Sequence, residues 1–84
     1  MTKETQKAIE EFKPGIYKHF KGNKYLALML STDCEDIEKK YVIYITMYEN
    51  ENSTVWSREV TDFMGYKILE NGKKVKRFEF IKNI

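Results

Sequence analysis

A Pro–Gly step at positions 14 and 15, and the run from Gly15 to Tyr25 that follows it, constrain this chain more than any other part of it. Pro14 ends whatever precedes it, because proline lacks the amide proton that a helix interior needs. Gly15-Ile16-Tyr17-Lys18-His19-Phe20 then reads as a strand. Lys21-Gly22-Asn23-Lys24 reads as a turn, since Gly and Asn both tolerate the positive φ of tight hairpins. Tyr25 opens a second strand. Side chains alternate along an extended chain, so Tyr17, His19 and Lys21 share one face, and Ile16, Lys18 and Phe20 the other. Ile16 and Phe20 are expected to face the core, leaving Tyr17 and His19 outward as a polar–aromatic pair.

Before Pro14, residues 2–12 have the spacing of a short amphipathic helix. Thr2 can cap it, and Thr5, Ala8, Ile9 and Phe12 recur on one face. The chain thus divides into a helical lead-in, 1–13, and one small β domain, 14–84. After the first hairpin, 25–30 is an almost unbroken apolar run and reads as a buried strand. Residues 31–40 are polar and acidic and read as a loop. Residues 41–48 form the strongest strand, with Tyr41, Ile43, Ile45 and Met47 on one face and Val42, Tyr44, Thr46 and Tyr48 on the other. Large side chains on both faces predict a central strand covered on both sides.

Residues 54–58 make a short strand around Trp56. Asp62-Phe63-Met64-Gly65 reads as one helical turn, with Asp62 as its cap and Phe63 or Met64 dropped into the core. Asn71-Gly72 between two β-rich runs predicts a closing hairpin with a two-residue loop, which pairs Ile68 with Val75. In that register Tyr66, Ile68 and Val75 share a face, and so do Lys67, Lys74 and Lys76. A bulge near Lys76-Arg77 would bring Phe78 and Phe80 back into phase. The predicted fold is mainly β: a small, strongly bent antiparallel sheet or an SH3-like barrel of five to six strands, with one short N-terminal helix.

Composition narrows the function classes. At 84 residues the chain makes one domain with a small core, and its 6 Tyr, 5 Phe and 1 Trp suit that need. A net charge of +2 lacks the domain-wide basic footprint of a dedicated DNA binder, although a local patch is compatible with it. The single Cys, Cys34, has no internal disulfide partner, and acidic neighbours make it a poor nucleophile. One Cys and one His fall short of a zinc ligand set, and the acidic loop lacks the spacing of an EF-hand. No metal or other cofactor is expected. The polar start of the chain and the lack of a long apolar run predict a cytoplasmic protein without membrane contact.

Some of these residues are similar to a known pattern. Gly15-x-Tyr17-x-His19-Phe20-Lys21-Gly22-x-x-Tyr25 resembles the opening of a small bacterial domain family of unknown function. Tyr44-Ile45-Thr46-Met47-Tyr48, Trp56-Ser57-Arg58 with Phe63, and the final hairpin ending in Arg77-Phe78 resemble its later motifs. The resemblance spans residues 13–81. The chain departs from the family in carrying Asp33-Cys34-Glu35-Asp36 where that family often has His-Ser-Glu-Thr, and Glu59 where it often has Pro. Nothing resting on that second His carries over. The resemblance implies a fold and a surface rather than a reaction.

Three functional readings follow. The first is a non-catalytic binding module whose surface comprises Tyr17, His19, Lys21, Tyr25, Tyr44, Tyr48, Trp56 and Arg58, with a peptide, protein or small molecule as ligand. Aromatic strand residues can form a shallow groove, and Arg58, on the face of Trp56, can contact a carboxylate or phosphate. Against it stands burial: Trp56 and two of the tyrosines could instead fill the core, with Trp56 expected there and Tyr17 and Tyr44 expected to be exposed. The second reading is a nucleic-acid binder using Lys67, Lys74, Lys76 and Arg77, with tyrosines stacking on bases. Against it, lysines on an exposed strand also simply deter edge-to-edge association. The third is a small enzyme centred on His19, for which no second catalytic group is evident. A monomer or weak homodimer fits all three.

Overall fold

The computed structural model describes all 84 residues. Helix α1 (Lys3–Glu11) is followed by strands β1 (Gly15–His19), β2 (Lys24–Thr32), β3 (Lys40–Thr46) and β4 (Val55–Glu59). The one-turn helix α2 (Val60–Phe63) and strands β5 (Tyr66–Ile68), β6 (Lys74–Lys76) and β7 (Phe78–Lys82) complete the chain. Five strands form an antiparallel sheet in the order β4-β3-β2-β1-β7, and β5 and β6 form a separate two-stranded sheet. The large sheet keeps β4 and β7 as free edges, so of the two architectures expected it is the bent sheet that forms and not the closed barrel.

Local signals in the sequence set several of these boundaries. Thr2 caps α1, its Oγ1 accepting from the Thr5 amide at 3.1 Å. Ala8 is buried, and Ile9 and Phe12 pack against the core. An irregularity between Ala27 and Met29 leaves Leu28 as an extra residue in β2. That shift of phase lets both Ala27 and Leu30 turn to the covered face.

Both hairpin turns differ from the sequence expectation in the same way. His19 N–H donates to Asn23 O at 2.8 Å and Gly22 N–H to His19 O at 2.7 Å. Leu69 N–H donates to Lys73 O at 2.8 Å and Gly72 N–H to Leu69 O at 2.9 Å. Each is a three-residue loop whose last residue is the glycine, with φ +109° at Gly22 and +84° at Gly72. A three-residue loop with glycine at its left-handed position is the next most common hairpin closure after two-residue turns. In the second hairpin the extra loop residue slides the register by one, pairing Ile68 with Lys74 and Tyr66 with Lys76. A one-residue slip exchanges the faces. Lys74 and Lys76 therefore flank Tyr66, 4.5 and 5.9 Å from its ring centroid, while Lys67 pairs with Val75. The expected common face of Lys67, Lys74 and Lys76 is not formed.

The phase change expected near Lys76-Arg77 is realised as a crossing between sheets: Arg77 is the single residue between β6 and β7. Its N–H donates to Gly65 O and its carbonyl accepts from Phe20 N–H, both at 3.0 Å. The α2 turn begins earlier than expected, at Val60. Asp62 therefore lies inside it rather than capping it, and Phe63 is fully buried.

The two faces of the large sheet have different fates. The register places Tyr17, His19, Tyr25, Ala27, Leu30, Val42, Tyr44, Trp56, Arg58, Phe78 and Phe80 on one face, toward α1 and α2. The other face carries Ile16, Leu26, Met29, Ile43, Ile45 and Val55. That face is not covered: Met29 and Val55 are exposed, and Ile43 and Ile45 are half-buried. β3 is thus central but covered on one side only. Ile16, expected to point to the core, lies on the open side, because Tyr17 takes the core-facing position of β1.

Candidate functional site

The helices cover only one end of the inner face. There Tyr17 is 1% exposed and Tyr44 6%, so neither forms the outward surface expected of it. Both are core residues. The Tyr17 ring lies edge-on to Phe63 and Phe80, with centroids 5.0 and 5.3 Å away. Its hydroxyl donates to Lys13 O at 2.8 Å and accepts from Lys13 N–H at 3.2 Å, holding the chain just past α1 against β1. Burial pushes the Tyr17 phenol above its ordinary range.

At the other end the same face is open. His19, two residues beyond Tyr17 on β1, pairs with Phe78 of β7. Its ring sits 4.9 Å from the Phe78 ring, edge-on, and the Arg58 guanidinium carbon sits 6.0 Å from the same ring. Phe78, stacked on Phe63 at 4.1 Å, is therefore a rigid floor shared by His19 and Arg58. A groove of about 560 Å³ opens beside His19 and Arg58, with His19, Lys21, Arg58, Lys67 and Arg77 as its polar wall. Phe20, Ile68 and Leu69 supply apolar surface, and Glu70 is the one carboxylate on its lining.

The two arginines are the unusual part. Arg58 Nε and Arg77 Nε are buried and make no hydrogen bond. The single ion pair in the structure joins the Met1 amine to Glu38, so no carboxylate lies within 4.0 Å of either guanidinium. A buried donor without an acceptor is costly, and both of these donors belong to residues that line one groove.

His19 is tuned by the same surroundings. Burial lowers its pKa most, and the fields of Arg58, Arg77 and Lys21 lower it further. The Lys21 amide donates to His19 Nδ1 at 3.1 Å. The neutral ring must therefore carry its proton on Nε2, which makes it a donor.

Beside this groove lies a smaller aromatic cleft of about 240 Å³, lined by Tyr25, Tyr44, Tyr48, Trp56, Asn50 and Asn52 and bordered by Arg58. Arg58 thus lines both hollows. Tyr25 and Tyr48 join hydroxyls at 2.8 Å, with their rings edge-on. Burial and the Tyr48 hydrogen bond hold the Tyr25 phenol up at about 12, so it is neutral at physiological pH. Trp56 is half-buried, neither sealed in the core nor free, and its indole N–H donates to Ser53 O at 2.9 Å.

Of the expected surface, then, His19, Lys21, Tyr25, Tyr48, Trp56 and Arg58 meet in two adjoining hollows, while Tyr17 and Tyr44 form the wall behind them. Arg77, Phe20, Leu69, Asn50 and Asn52 also line these hollows. Arg77 was expected only as part of a basic hairpin patch, and that patch is divided: Lys67 and Arg77 line the groove, and Lys74 and Lys76 flank Tyr66.

Other candidate chemistry disperses. Asp33 organises the loop between β2 and β3, its Oδ1 accepting from the Glu35 and Asp36 amides at 2.8 and 3.2 Å and its Oδ2 from Tyr41 at 3.1 Å. No group of three or more His, Cys, Asp or Glu side chains is placed to hold a metal ion, and Cys34 is exposed. The largest hollow, about 860 Å³, lies at the loop between β3 and β4, and its lining includes Glu49 and Glu51 but no basic side chain. No helix is long and apolar enough to cross a membrane.

Comparison with known proteins gives a family and a fold. Residues 15–80 match the model of a family described as a protein of unknown function (DUF1653). The chain is similar to a crystal structure of a protein belonging to that family from Bordetella bronchiseptica, at 27% identity and a TM-score of 0.79, covering 89% of this chain and 94% of that one. No curated protein matches.

Proposed function

The chain belongs to the DUF1653 family, whose role is unassigned, and from that premise we propose that it is a non-catalytic binding module whose groove takes an anionic ligand between Arg58, Arg77 and His19. The observation that carries this reading is the pair of buried, partnerless Nε donors on one groove. A bound carboxylate or phosphate would accept from the two guanidinium groups, and charge-assisted bonds of this kind are roughly twice as strong as neutral ones. His19 adds a third donor through Nε2, while Lys21 and Lys67 add long-range attraction. The site offers donors rather than reactive groups. Tyr25 is held protonated, and the histidine's other nitrogen is occupied by the Lys21 amide.

The test is an NMR shift titration of the whole chain with acetate, citrate, sulfate and inorganic phosphate at low salt. The reading expects changes at the His19 ring and at the Arg58 and Arg77 Nε–H signals, abolished in Arg58→Gln/Arg77→Gln. A groove that stays silent to all four anions refutes it.

A further inference from the structure

Resting on that anion-groove reading, the geometry points to a more specific ligand: a nucleoside monophosphate unit, its phosphate in the groove and its base in the adjoining aromatic cleft. Charge makes the first argument. A carboxylate has one negative charge and two oxygens, which one guanidinium satisfies in a forked pair. Here two unpaired guanidinium groups, an imidazole N–H and two lysines face a single carboxylate side chain, Glu70. That surplus suits a phosphate monoester, which carries close to two charges and three terminal oxygens.

The cleft makes the second argument. It adjoins the groove through Arg58, which lines both. A ligand held by its phosphate at Arg58 therefore extends its remainder toward Tyr25, Tyr48 and Trp56. These present aromatic surface, on which any base can stack. On the same cleft, the Asn52 amide offers both donors and an acceptor and Asn50, whose Oδ1 accepts from the Asn52 N–H at 2.9 Å, offers its NH2 donors, the groups that read the polar edge of a base. An aliphatic phosphate would leave the aromatic surface and the free amide donors unused. The two hollows, about 560 and 240 Å³, lie within the range or near the lower limit of small-molecule sites.

The experiment compares inorganic phosphate, the four ribonucleoside 5′-monophosphates and the unphosphorylated nucleosides, by Trp56 fluorescence and by NMR. At least one monophosphate is expected to bind roughly tenfold more tightly than phosphate, the scale of one stacked base. It should shift the Tyr25, Tyr48 and Trp56 ring signals together with His19. Tyr48→Ser should remove that gain and leave phosphate binding intact, and Arg77→Gln should weaken both. Monophosphates that bind no better than phosphate overturn the nucleotide assignment and leave the anion groove standing; failure of phosphate and monophosphates alike overturns both. A 5′-phosphorylated trinucleotide distinguishes the source. If it binds more tightly than the mononucleotide while shifting the same residues, the unit is the end of a strand; if it binds less tightly, the unit is free.

Discussion

One sheet face has two halves here, and they behave as different materials. Tyr17 and His19 stand two residues apart on β1 and point the same way, yet one is sealed in the core and the other lines a groove. Tyr44 and Trp56, opposite each other on β3 and β4, repeat the contrast more mildly, buried against half-buried. The cause is the reach of the cover. α1 and α2 bring Ala8, Phe12, Val60 and Phe63 over part of the face, and the rest is approached only by the small hairpin, across the groove. Where the cover reaches, aromatic rings pack against one another and the buried Tyr17 hydroxyl has partners. Where it stops, Phe78 is shared by the unpaired Arg58 guanidinium and the His19 ring.

The contrast is broken most strongly from the covered side. Phe63→Ala should cost about 3–5 kcal/mol, the usual toll of removing a fully buried Phe, measured by urea denaturation. A loss under about 1 kcal/mol would mean that the helices do not define a separate core half. On the open side the sign should reverse. Arg58→Met keeps the aliphatic stem and removes a partnerless buried donor, so stability should rise by about 1 kcal/mol while anion binding disappears. A destabilised variant would show that the guanidinium has a structural partner after all.

Tyr17→Phe sharpens the boundary itself. It leaves the ring packing and deletes only the hydroxyl bonded to Lys13, so a loss of about 0.5–1.5 kcal/mol is expected with no change at the groove. The smallest effect is one of pH. The His19 pKa lies below its ordinary 6.5 in the folded chain, so between those two values the unfolded state binds more protons. Stability should therefore decline as pH falls through 6.5 toward the folded value, and His19→Gln should flatten that slope. A bound anion should raise the His19 pKa, which an imidazole NMR titration would report directly.

Alternation made much of this legible from residues alone. Tyr17, His19, Tyr25, Tyr44, Trp56 and Arg58 do share one face, as register and period 2 require. Thr2 before the Ile9/Phe12 stripe gave the helix start, and the glycines at 22 and 72 gave both hairpins. What alternation cannot express is how far a helix extends over a sheet, so it could not separate Tyr17 from His19. Nor could it count loop residues. Asn71-Gly72 and Gly22-Asn23 look like two-residue turns, yet in both hairpins the glycine closes a three-residue loop, and that difference moved Lys67 away from Lys74 and Lys76. Arg77 was hidden for a related reason: only the crossing between the small and large sheets turns it from a hairpin lysine's neighbour into a groove residue.

The first of those loops does more than reverse the chain. Because its backbone supplies the proton that fills one side of the imidazole, the peptide conformation dictates which nitrogen of His19 can offer a hydrogen to a visitor. Lengthening or shortening the segment between Phe20 and Asn23 would remove that amide and free the ring to take up the opposite tautomer. The same side chain would then greet a negative guest with a lone pair, and attraction would become repulsion without any change in the residues that line the hollow.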